Sequence, residues 1–443
     1  MSLWKIAWRS IQQRSLVSAL TALSMALGVS LVVAVLVVES VVYQSFHRGG
    51  EGYDLVVGAN KESRLELVLN SVYYMGPPIK PMPYEYYQKL AEGRVVDGIE
   101  TAIPICLGDS YEDFRVVGTT PELFEEIQYS DGQKYQFAAG GNFKTENYTD
   151  AVIGATVARK TGLKVDDTFR PVHDVAGESH HKHKPFKVVG ILAPTGTPND
   201  RALFVNIEGF FRQEGHHGAE SEQGENGEHA DSDKDEAHEH EHEHDIPDKL
   251  KKVTAVLLCV TSQGEPGGPR EPQPGLTKKV AWKINDGSDA QAAVPGDEIS
   301  RLFEGLIGNF QLVLLLFAIM IVIVAGIGIM VSIYNSMSDR RHEIAVMRAL
   351  GASRVTVMLV ILLESILLSL GGGVLGLLLG HGAIELLSPV IADQIGMSVN
   401  LLQFRTLELV LIPALIVLAS LVGYLPAVAA YRTDVARALT AAP

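Results

Sequence analysis

Four long apolar stretches limit what this chain can fold into. A helix needs about 20 apolar residues to cross the hydrocarbon core of a bilayer. Residues 16–42, 311–335, 355–387 and 407–431 meet that length. The sequence therefore predicts four transmembrane helices.

The first apolar stretch has features of both a signal peptide and a membrane anchor. It follows a short basic segment, residues 1–15, as a signal peptide would. However, its apolar run exceeds the roughly 7–15 residues of a signal core. No small-x-small cleavage site closes the run either. We interpret residues 1–15 as a cytoplasmic amphipathic segment and the run as an uncleaved helix.

The positions of lysine and arginine predict the orientation. Basic residues concentrate in the cytoplasmic segments of membrane proteins. If both termini are cytoplasmic, segments 1–15, 336–354 and 432–443 are inside, whereas the short loop 388–406 is outside and holds only Arg405. The protein is then a multi-pass protein of a bacterial inner membrane with its large polar domain in the periplasm. The cytoplasmic basic residues are Lys5, Arg9, Arg14, Arg340, Arg341, Arg348, Arg354, Arg432 and Arg437.

The polar stretch 43–310 predicts an α+β domain between the first and second membrane helices. Short β-rich runs alternate with turn residues and helical patterns there. The net charge of −15 makes nucleic acid an unsuitable partner. Cys106 and Cys259 could pair outside the cytoplasm or remain as small buried thiols.

Residues 213–248 form a histidine- and glutamate-rich insert with almost no apolar residues. Such a composition cannot form a core, so the sequence predicts a disordered loop. Imidazole and carboxylate groups together suit zinc, copper or nickel, and we expect weak Zn²⁺ binding in several registers. The alternative is a solvated charged loop without a ligand. The candidate ligands are His238, His240, His242 and His244.

The sequence gives little support to an enzyme. No Walker A motif occurs, and the G-x-G-x-x-G pattern at 371–376 lies inside an apolar stretch with no strand before it. His342 begins an H-E-x-x-H pattern, but Val346 stands where the second histidine is required. No nucleophile constellation stands out, and we expect no cofactor beyond the weakly bound metal.

Two features of the third apolar stretch predict contacts between helices. Gly372, Gly376 and Gly380 repeat at the G-x-x-x-G spacing that lets another helix approach closely. Glu364 is a carboxylate within the membrane, which is a functional candidate by default. We expect Glu364 to make a structural polar contact rather than to couple protons.

Residues 338–354, "SDRRHEIAVMRALGASR", combine four arginines with apolar residues at helical spacing. The sequence predicts a short amphipathic helix that ends at a Gly351 cap. Its apolar side could sit in a groove of a partner protein. The alternative is a helix lying on anionic lipid. The apolar side consists of Ile344, Val346, Met347 and Leu350.

These features together resemble ABC transporter permeases of the MacB/FtsX type. The resemblance covers nearly the whole chain apart from the histidine-rich insert. Its most specific parts lie in the C-terminal half, although Val435 stands where that family often has proline. The matching segments are "RRHEIAVMRALGASR" (340–354), "LLESILLSLGGGVLGLLLG" (362–380), "LPAVAAYRTDVARAL" (425–439), "AVIGATVARKTGLKVDDTF" (151–169) and "KVVGILAPTGTPNDRALFV" (187–205).

The resemblance implies a permease subunit that works with a separate cytoplasmic ABC ATPase. It implies a homodimer or a pair of permeases, with a periplasmic adaptor or substrate protein as a further partner, and a role in export, lipoprotein release or mechanotransmission. The histidine-rich insert favours a zinc-linked branch. The alternative function is a membrane-anchored metal sensor that signals through the ATPase. The coupling helix would dock through Arg340, Arg341, Glu343, Ile344, Met347, Arg348, Leu350 and Gly351.

Overall fold

Two compact units make up the chain. The helical unit comprises Met1–Tyr43, Glu304–Ala392 and Ser398–Pro443, and the α/β unit comprises Gln44–Phe303 and Asp393–Met397. The computed structural model describes residues 3–60, 63–77, 79–130, 132–173, 184–213, 246–264, 268–339, 341–349, 351–395 and 406–431.

Long helices dominate the helical unit, whereas those of the α/β unit are short. In chain order the helices are α1 (Leu3–Gln13), α2 (Ser15–Gly49), α3 (Arg64–Ser71), α4 (Tyr84–Ala91), α5 (Glu122–Glu125), α6 (Ala155–Thr161), α7 (Ile207–Phe211), α8 (Leu276–Asn285), α9 (Pro295–Leu302), α10 (Gly308–Asp339), α11 (Arg341–Ala349), α12 (Arg354–Ile395) and α13 (Thr406–Tyr431). Single turns of 3₁₀ or π-helix occur at Pro198–Arg201, Asp248–Leu250 and Phe303–Ile307.

Four of these helices are long and apolar enough to cross a membrane. The candidate spans within the described residues are Ser15–Val38, Leu312–Asn335, Arg354–Ser388 and Val410–Ala429, in α2, α10, α12 and α13. This confirms the prediction of four transmembrane helices. The helices extend past several predicted span ends, since α2 continues to Gly49 and α12 continues to Ile395.

The four span helices share one hydrophobic core. Each contributes buried aliphatic side chains to the same cluster, so the helices pack as a bundle rather than as independent spans. The contributors include Met25, Val29 and Val33 of α2, Ile329 and Ile333 of α10, Val357 and Ile361 of α12, and Leu415 and Ala427 of α13.

A mixed sheet forms the centre of the α/β unit. Its main strand order is β15-β1-β14-β3-β4-β12-β8-β11-β7, with β10 on β3 and β9 on β11. The pairs β4–β12 and β8–β11 are parallel and the others are antiparallel. Strands β2 and β13, and strands β5 and β6, form two separate two-stranded sheets. The strands of the unit are β1 (Leu55–Ala59), β2 (Met82–Pro83), β3 (Ile99–Tyr111), β4 (Phe114–Thr119), β5 (Gln128–Ser130), β6 (Gln133–Lys134), β7 (Phe137–Gly140), β8 (Asp150–Ile153), β9 (Thr168–Phe169), β10 (Val172–His173), β11 (Phe186–Leu192), β12 (Ala202–Asn206), β13 (Lys252–Val253), β14 (Ala255–Val260) and β15 (Ala290–Ala293).

The α/β unit has a core of its own. Strands β1, β12 and β14 are buried along their whole length, as the continuous apolar runs of their sequences predict. The expected domain of mixed helices and strands between the first and second membrane helices, predicted as α+β, is therefore confirmed. Cys106 and Cys259 are buried in it as free thiols, so the two cysteines do not form a disulfide.

The predicted bounds of the histidine-rich insert are too wide. Gln213 is 3% exposed, and its side chain exchanges hydrogen bonds with the backbone N–H and carbonyl of Lys184. At the other end, Asp248 accepts a hydrogen bond from Gln88 and lies 3.1 Å from the Lys251 ammonium. Both ends of the predicted range thus belong to the folded domain, because their polar side chains hold the chain in place.

Candidate functional site: the helix between the second and third spans

The amphipathic segment between the second and third spans contains a short helix. Within the predicted range 336–354, helix α10 runs to Asp339, α11 covers Arg341–Ala349, and α12 begins at Arg354. Ser353 then starts α12, since its hydroxyl accepts a hydrogen bond from the backbone N–H of Thr356 at 3.1 Å. The turn at Gly351–Ser353 therefore separates α11 from α12.

Gly351 ends α11 in the way its sequence predicts. Its φ of +102° lies in the left-handed region that favours glycine. The Gly351 N–H donates to the Arg348 carbonyl at 3.1 Å, and the Ala352 N–H donates to the Met347 carbonyl at 3.0 Å. This pair of bonds is a Schellman motif, which satisfies the last carbonyls of the helix.

The apolar side of α11 does not face outward as a whole. Ile344 is 5% exposed and belongs to the cluster that the four span helices share, and Met347 packs against that cluster. Ala345 is fully buried. The expectation that Ile344 sits in a groove of another protein is therefore wrong, because the chain's own bundle already covers its side chain.

The outer face of α11 is small and contains an apolar residue. Val346 is 39% exposed, Ala349 is exposed one turn later, and Arg348 is half-buried beside them. An exposed valine next to a cationic side chain can contact a protein surface that offers both an apolar patch and a carboxylate. We refer to Val346, Arg348 and Ala349 as the outer face of α11.

The glycines predicted for helix packing lie directly against α2. A Cβ atom added at Gly372 would lie 2.8 Å from the Ala22 carbonyl oxygen, and one at Gly376 would lie 2.6 Å from the Val29 Cβ. One added at Gly380 would lie 2.9 Å from Val33 Cγ1. These distances are shorter than any normal carbon contact, so only glycine permits this approach of the two helices.

A second face of α12 packs on α13 through side chains. A Cβ at Gly373 would lie 2.5 Å from the Leu415 Cδ1. In the reverse direction, a Cβ at Gly423 of α13 would lie 2.1 Å from the Ser365 hydroxyl, which is itself completely buried. Helix α12 is thus held between two neighbours with little room to shift.

Glu364 makes a polar contact between helices. It is 7% exposed, and its Oε1 accepts a hydrogen bond of 2.9 Å from the Ser10 hydroxyl of α1. Ser10 is 4% exposed and lies on the buried face of α1 with Ala7, whereas Trp4 and Trp8 are about half exposed on the other side. The contact fits the structural role expected of Glu364. Sequence reasoning did not identify Ser10 as its partner.

The electrostatics of the α/β unit are those of a folded core. Asp54 lies next to Arg270, with Oδ2 3.2 Å from the guanidinium, yet burial dominates and raises the pKa of its carboxyl group. Burial likewise raises the pKa of Asp200, whose carboxylate accepts hydrogen bonds from Thr195 and Gly196 in the turn before β12. Both carboxylates have structural partners.

Several predicted site residues lie where side-chain positions are not described. This holds for the candidate metal ligands His238, His240, His242 and His244 and for the side chains of Arg340, Arg341, Glu343 and Leu350. Within the described ranges, no group of three or more histidine, cysteine or acidic side chains could hold a metal ion. The zinc prediction therefore remains a prediction.

Two family models match this sequence. Residues 18–228 match a MacB-like periplasmic core domain, and residues 315–435 match an FtsX-like permease C-terminal domain. The chain belongs to the MacB/FtsX type of ABC permease. The second match includes α11 and the glycine contacts of α12, so the candidate site lies within the permease domain.

The chain is also similar to parts of two curated proteins and to one solved domain. The macrolide export ATP-binding/permease protein MacB of Bdellovibrio bacteriovorus is 26% identical over 54% of this chain and 32% of its own length. The uncharacterized ABC transporter permease YknZ of Bacillus subtilis is 37% identical over 15% of this chain and 17% of its own. A crystal structure of the extracellular domain of the noncanonic ABC-type transporter YknZ from Gram-positive bacteria covers 54% of this chain and 98% of that domain, at 10% identity and a TM-score of 0.29. The chain thus matches a third or less of the length of these two full-length relatives.

Proposed function

We propose that this chain is the transmembrane subunit of an ABC transporter complex and that α11 is its coupling helix. In this proposal a separate cytoplasmic ATPase docks on the outer face of α11, and ATP hydrolysis changes the conformation of the external domain. No Walker A motif occurs in these 443 residues, and the proposal assigns ATP hydrolysis to a partner protein.

The observation that carries the proposal is the two-sided environment of α11. Its inner side, at Ile344, is embedded in the cluster formed by all four span helices, whereas its outer face is exposed. Packed cores do not deform continuously, so a force on the outer face would displace the bundle rather than be absorbed locally. A helix that merely lay on lipid would not need its inner side buried in the protein's own hydrophobic cluster.

The outer face provides the first experiment. Val346→Asp and Ala349→Asp each place a carboxylate where the proposal requires a buried contact, at a cost of about 1–3 kcal/mol if it is unpaired. We expect the ATPase, identified by mass spectrometry as a Walker A protein that copurifies with the wild type, to be lost from both variants. Gln12→Asp adds the same charge to the exposed side of α1 and is the matched control, with wild-type recovery expected. Wild-type recovery of the ATPase with Val346→Asp would rule out this face as the docking surface.

A substitution on the inner side of α11 should affect ATP hydrolysis rather than ATPase binding. Ile344→Ala opens a cavity between α11 and the bundle while leaving the outer face unchanged, and such a truncation costs about 2–5 kcal/mol in a well-packed core. We expect this variant to bind the ATPase but to lose the change in its ATP hydrolysis rate that the wild-type permease causes. If the Ile344→Ala permease still changed the ATP hydrolysis rate as the wild type does, Ile344 would not connect α11 to the bundle.

The orientation is part of the same proposal. With both termini inside, a cysteine at position 230 faces the periplasm and one at position 342 faces the cytoplasm. We expect a membrane-impermeant maleimide to label Ala230→Cys but not His342→Cys in intact spheroplasts. The native thiols give little background because both are buried. The reverse labelling pattern would invert the topology.

The biological output we propose is export, lipoprotein release or mechanotransmission by a homodimer or paired permease in a bacterial inner membrane, with a periplasmic adaptor or substrate protein as a further partner. The second candidate is a metal sensor that acts through the ATPase, and the histidine-rich sequence favours it. Zinc titrated into the purified complex distinguishes the two. A change in ATP hydrolysis that disappears when residues 214–245 are deleted would favour the sensor.

A further inference from the structure

Helix α1 presents two exposed tryptophans just before the first span begins. Trp4 is 56% exposed and Trp8 is 49% exposed. The two indoles lie one turn apart and therefore share a side of the helix. Large apolar side chains that cluster on a surface mark a place of contact, because water covers them at a cost in free energy. Neither the outer face of α11 nor the glycine contacts of α12 involve this side of α1.

A different side of α1 is fixed to the helical bundle. Ala7 is fully buried, and Ser10 is 4% exposed with its hydroxyl donating to Glu364 Oε1 at 2.9 Å. Because each residue turns a helix by about 100°, the indoles of Trp4 and Trp8 lie beside this buried side rather than on it. A rotation of α1 that buried the indoles would break the bond to Glu364. The exposure of the tryptophans is therefore a consequence of how α1 packs.

Two cations continue the exposed surface around the helix. Lys5 and Arg9 each follow a tryptophan in the sequence, lie one turn apart and are exposed. Helix α1 contains no acidic residue that could neutralise them. Going around the helix, the buried side is thus followed by an aromatic strip and then by a cationic strip. We refer to Trp4, Lys5, Trp8 and Arg9 as the outer side of α1.

The outer side of α1 lies at the end of a membrane span. Only Arg14 separates α1 from α2, and the candidate span in α2 begins at Ser15. Leu16 and Leu20, at the start of that span, are 74% and 57% exposed. Exposed leucines of a membrane helix contact lipid acyl chains. Helix α1 therefore begins at the depth where the acyl chains give way to the lipid headgroups.

We propose that the outer side of α1 binds anionic phospholipids. The indoles of Trp4 and Trp8 lie among the headgroups, where amphipathic aromatic rings are favoured. Lys5 and Arg9 pair with the lipid phosphates and are attracted by the net negative charge of the headgroups. A protein that covered the same surface would have to displace lipid that is already present at this depth. The lipid site does not depend on the coupling function proposed for α11.

The tryptophan content of the chain makes this contact measurable. Its three tryptophans are Trp4, Trp8 and Trp282, the last of which lies on α8 of the α/β unit. In the full-length Trp282→Phe variant, tryptophan fluorescence therefore comes from the outer side of α1 alone. The variant is placed in phosphatidylcholine nanodiscs that contain a rising mole fraction of a lipid with brominated acyl chains, which quench indoles on contact. We expect half-quenching at a mole fraction of brominated phosphatidylglycerol at least about fivefold lower than that of brominated phosphatidylcholine, which is the effect of one cation near an anionic surface.

Three outcomes of this measurement would overturn the proposal. Equal quenching by the two brominated lipids would show that the charge of the headgroup is not recognised. An absence of quenching by either lipid would place the indoles in water or against protein, including a second copy of this chain. Relief of quenching when the copurifying ATPase is added would assign the outer side of α1 to that protein instead.

Charge variants in the Trp282→Phe background separate lipid recognition from folding. Lys5→Gln combined with Arg9→Gln should make the two half-quenching fractions equal, whereas Lys5→Arg combined with Arg9→Lys keeps both charges and should retain the difference. Lys278→Gln combined with Lys279→Gln removes two exposed lysines of α8 and is the matched control, with the difference again retained. A preference for phosphatidylglycerol that survived the loss of Lys5 and Arg9 would refute the role of these cations. An equal loss of preference in the α8 control would attribute it to the net charge of the protein and also refute the site.

Hydrogen exchange tests whether the bound lipid holds α1 against the bundle. A ligand that binds only the packed helix stabilises that state by mass action. Replacing part of the phosphatidylcholine by phosphatidylglycerol should therefore slow amide exchange in residues 7–13 of the wild type, but not in the variant that carries Lys5→Gln and Arg9→Gln. Equal slowing in both proteins would show that the protection comes from the bilayer as a whole, which would contradict a site formed by the two cations.

Discussion

The close approach of α12 to α2 can be tested with a single methyl group. In Gly376→Ala the new Cβ would lie 2.6 Å from the Val29 Cβ and 2.7 Å from the Ala26 carbonyl oxygen. The carbonyl belongs to the backbone of a helix and cannot rotate away, so the two helices must move apart. Overpacking of this kind costs about 1–3 kcal/mol. The higher helix propensity of alanine returns about 1 kcal/mol.

The same helix provides matched controls. A Cβ at Gly371 or Gly382 would meet nothing within 4 Å among the described residues. Gly371→Ala and Gly382→Ala should therefore show only the gain in helix propensity, about 1 kcal/mol in the free energy of unfolding. Relative to these controls, we expect Gly376→Ala to be destabilised by about 1–3 kcal/mol.

Reversible unfolding of the full-length protein in mixed micelles measures the three free energies under identical conditions. The comparison between variants is informative because all three substitutions change the same residue type in the same helix. If Gly376→Ala were as stable as Gly371→Ala, the packing of α12 on α2 would not be as close as the structure shows. Equal destabilisation of all three would instead point to a general intolerance of alanine in α12.

Other contacts give independent predictions. Ser10→Ala removes a hydrogen bond to the buried Glu364 carboxylate, and we expect a loss of about 1.5–3 kcal/mol in the same unfolding assay; an unchanged stability would show that this bond contributes nothing. The thiols of Cys106 and Cys259 should react with Ellman's reagent only after unfolding, because burial raises the pKa of both, that of Cys259 to about 12; rapid reaction in the native state would contradict their burial. Deletion of residues 214–245 should leave the unfolding curve unchanged and remove zinc uptake measured by calorimetry; equal zinc uptake with and without the segment would refute the metal prediction.

Features determined by local sequence could be predicted. An apolar run of sufficient length predicts each span helix, and short apolar runs between turn residues predict the buried strands. The cap at Gly351 also follows from local chemistry, because only glycine adopts a positive φ there without strain. These predictions needed no knowledge of what lies next to each segment.

Features determined by distant contacts could not be predicted in the same way. The periodicity of α11 shows which of its residues are apolar but not what covers them. An apolar side serves equally well for packing on a partner or on the chain's own bundle, and Ile344 does the latter. The Ser10–Glu364 bond joins residues 354 positions apart, and neither residue alone indicates the other. The signal that could have suggested it is the burial cost of a carboxylate in a membrane helix, which demands a donor from some neighbour.

The insert shows a third limit, which concerns boundaries. Composition changes abruptly near its ends, but Gln213 and Asp248 are polar and look like part of it. Only their hydrogen bonds, to Lys184 and to Gln88, place them in the folded domain. A polar side chain at the edge of a low-complexity segment can form hydrogen bonds either with water or with the backbone of the folded domain. The amino-acid composition is the same in both cases, so it does not predict which one occurs.

The contacts of α12 explain why a force on α11 should travel through this bundle. A helix that packs through large flexible side chains can absorb a small displacement by changing rotamers. Helix α12 instead meets α2 through Gly376 and its neighbouring glycines, where backbone carbonyl oxygens of Ala22, Ala26 and Ser30 lie against the glycine backbone. Such an interface has no rotamers to adjust, and α12 must move together with α2 or lose the contact. A displacement of α12 would therefore be shared by the part of α2 that lies against Gly372, Gly376 and Gly380.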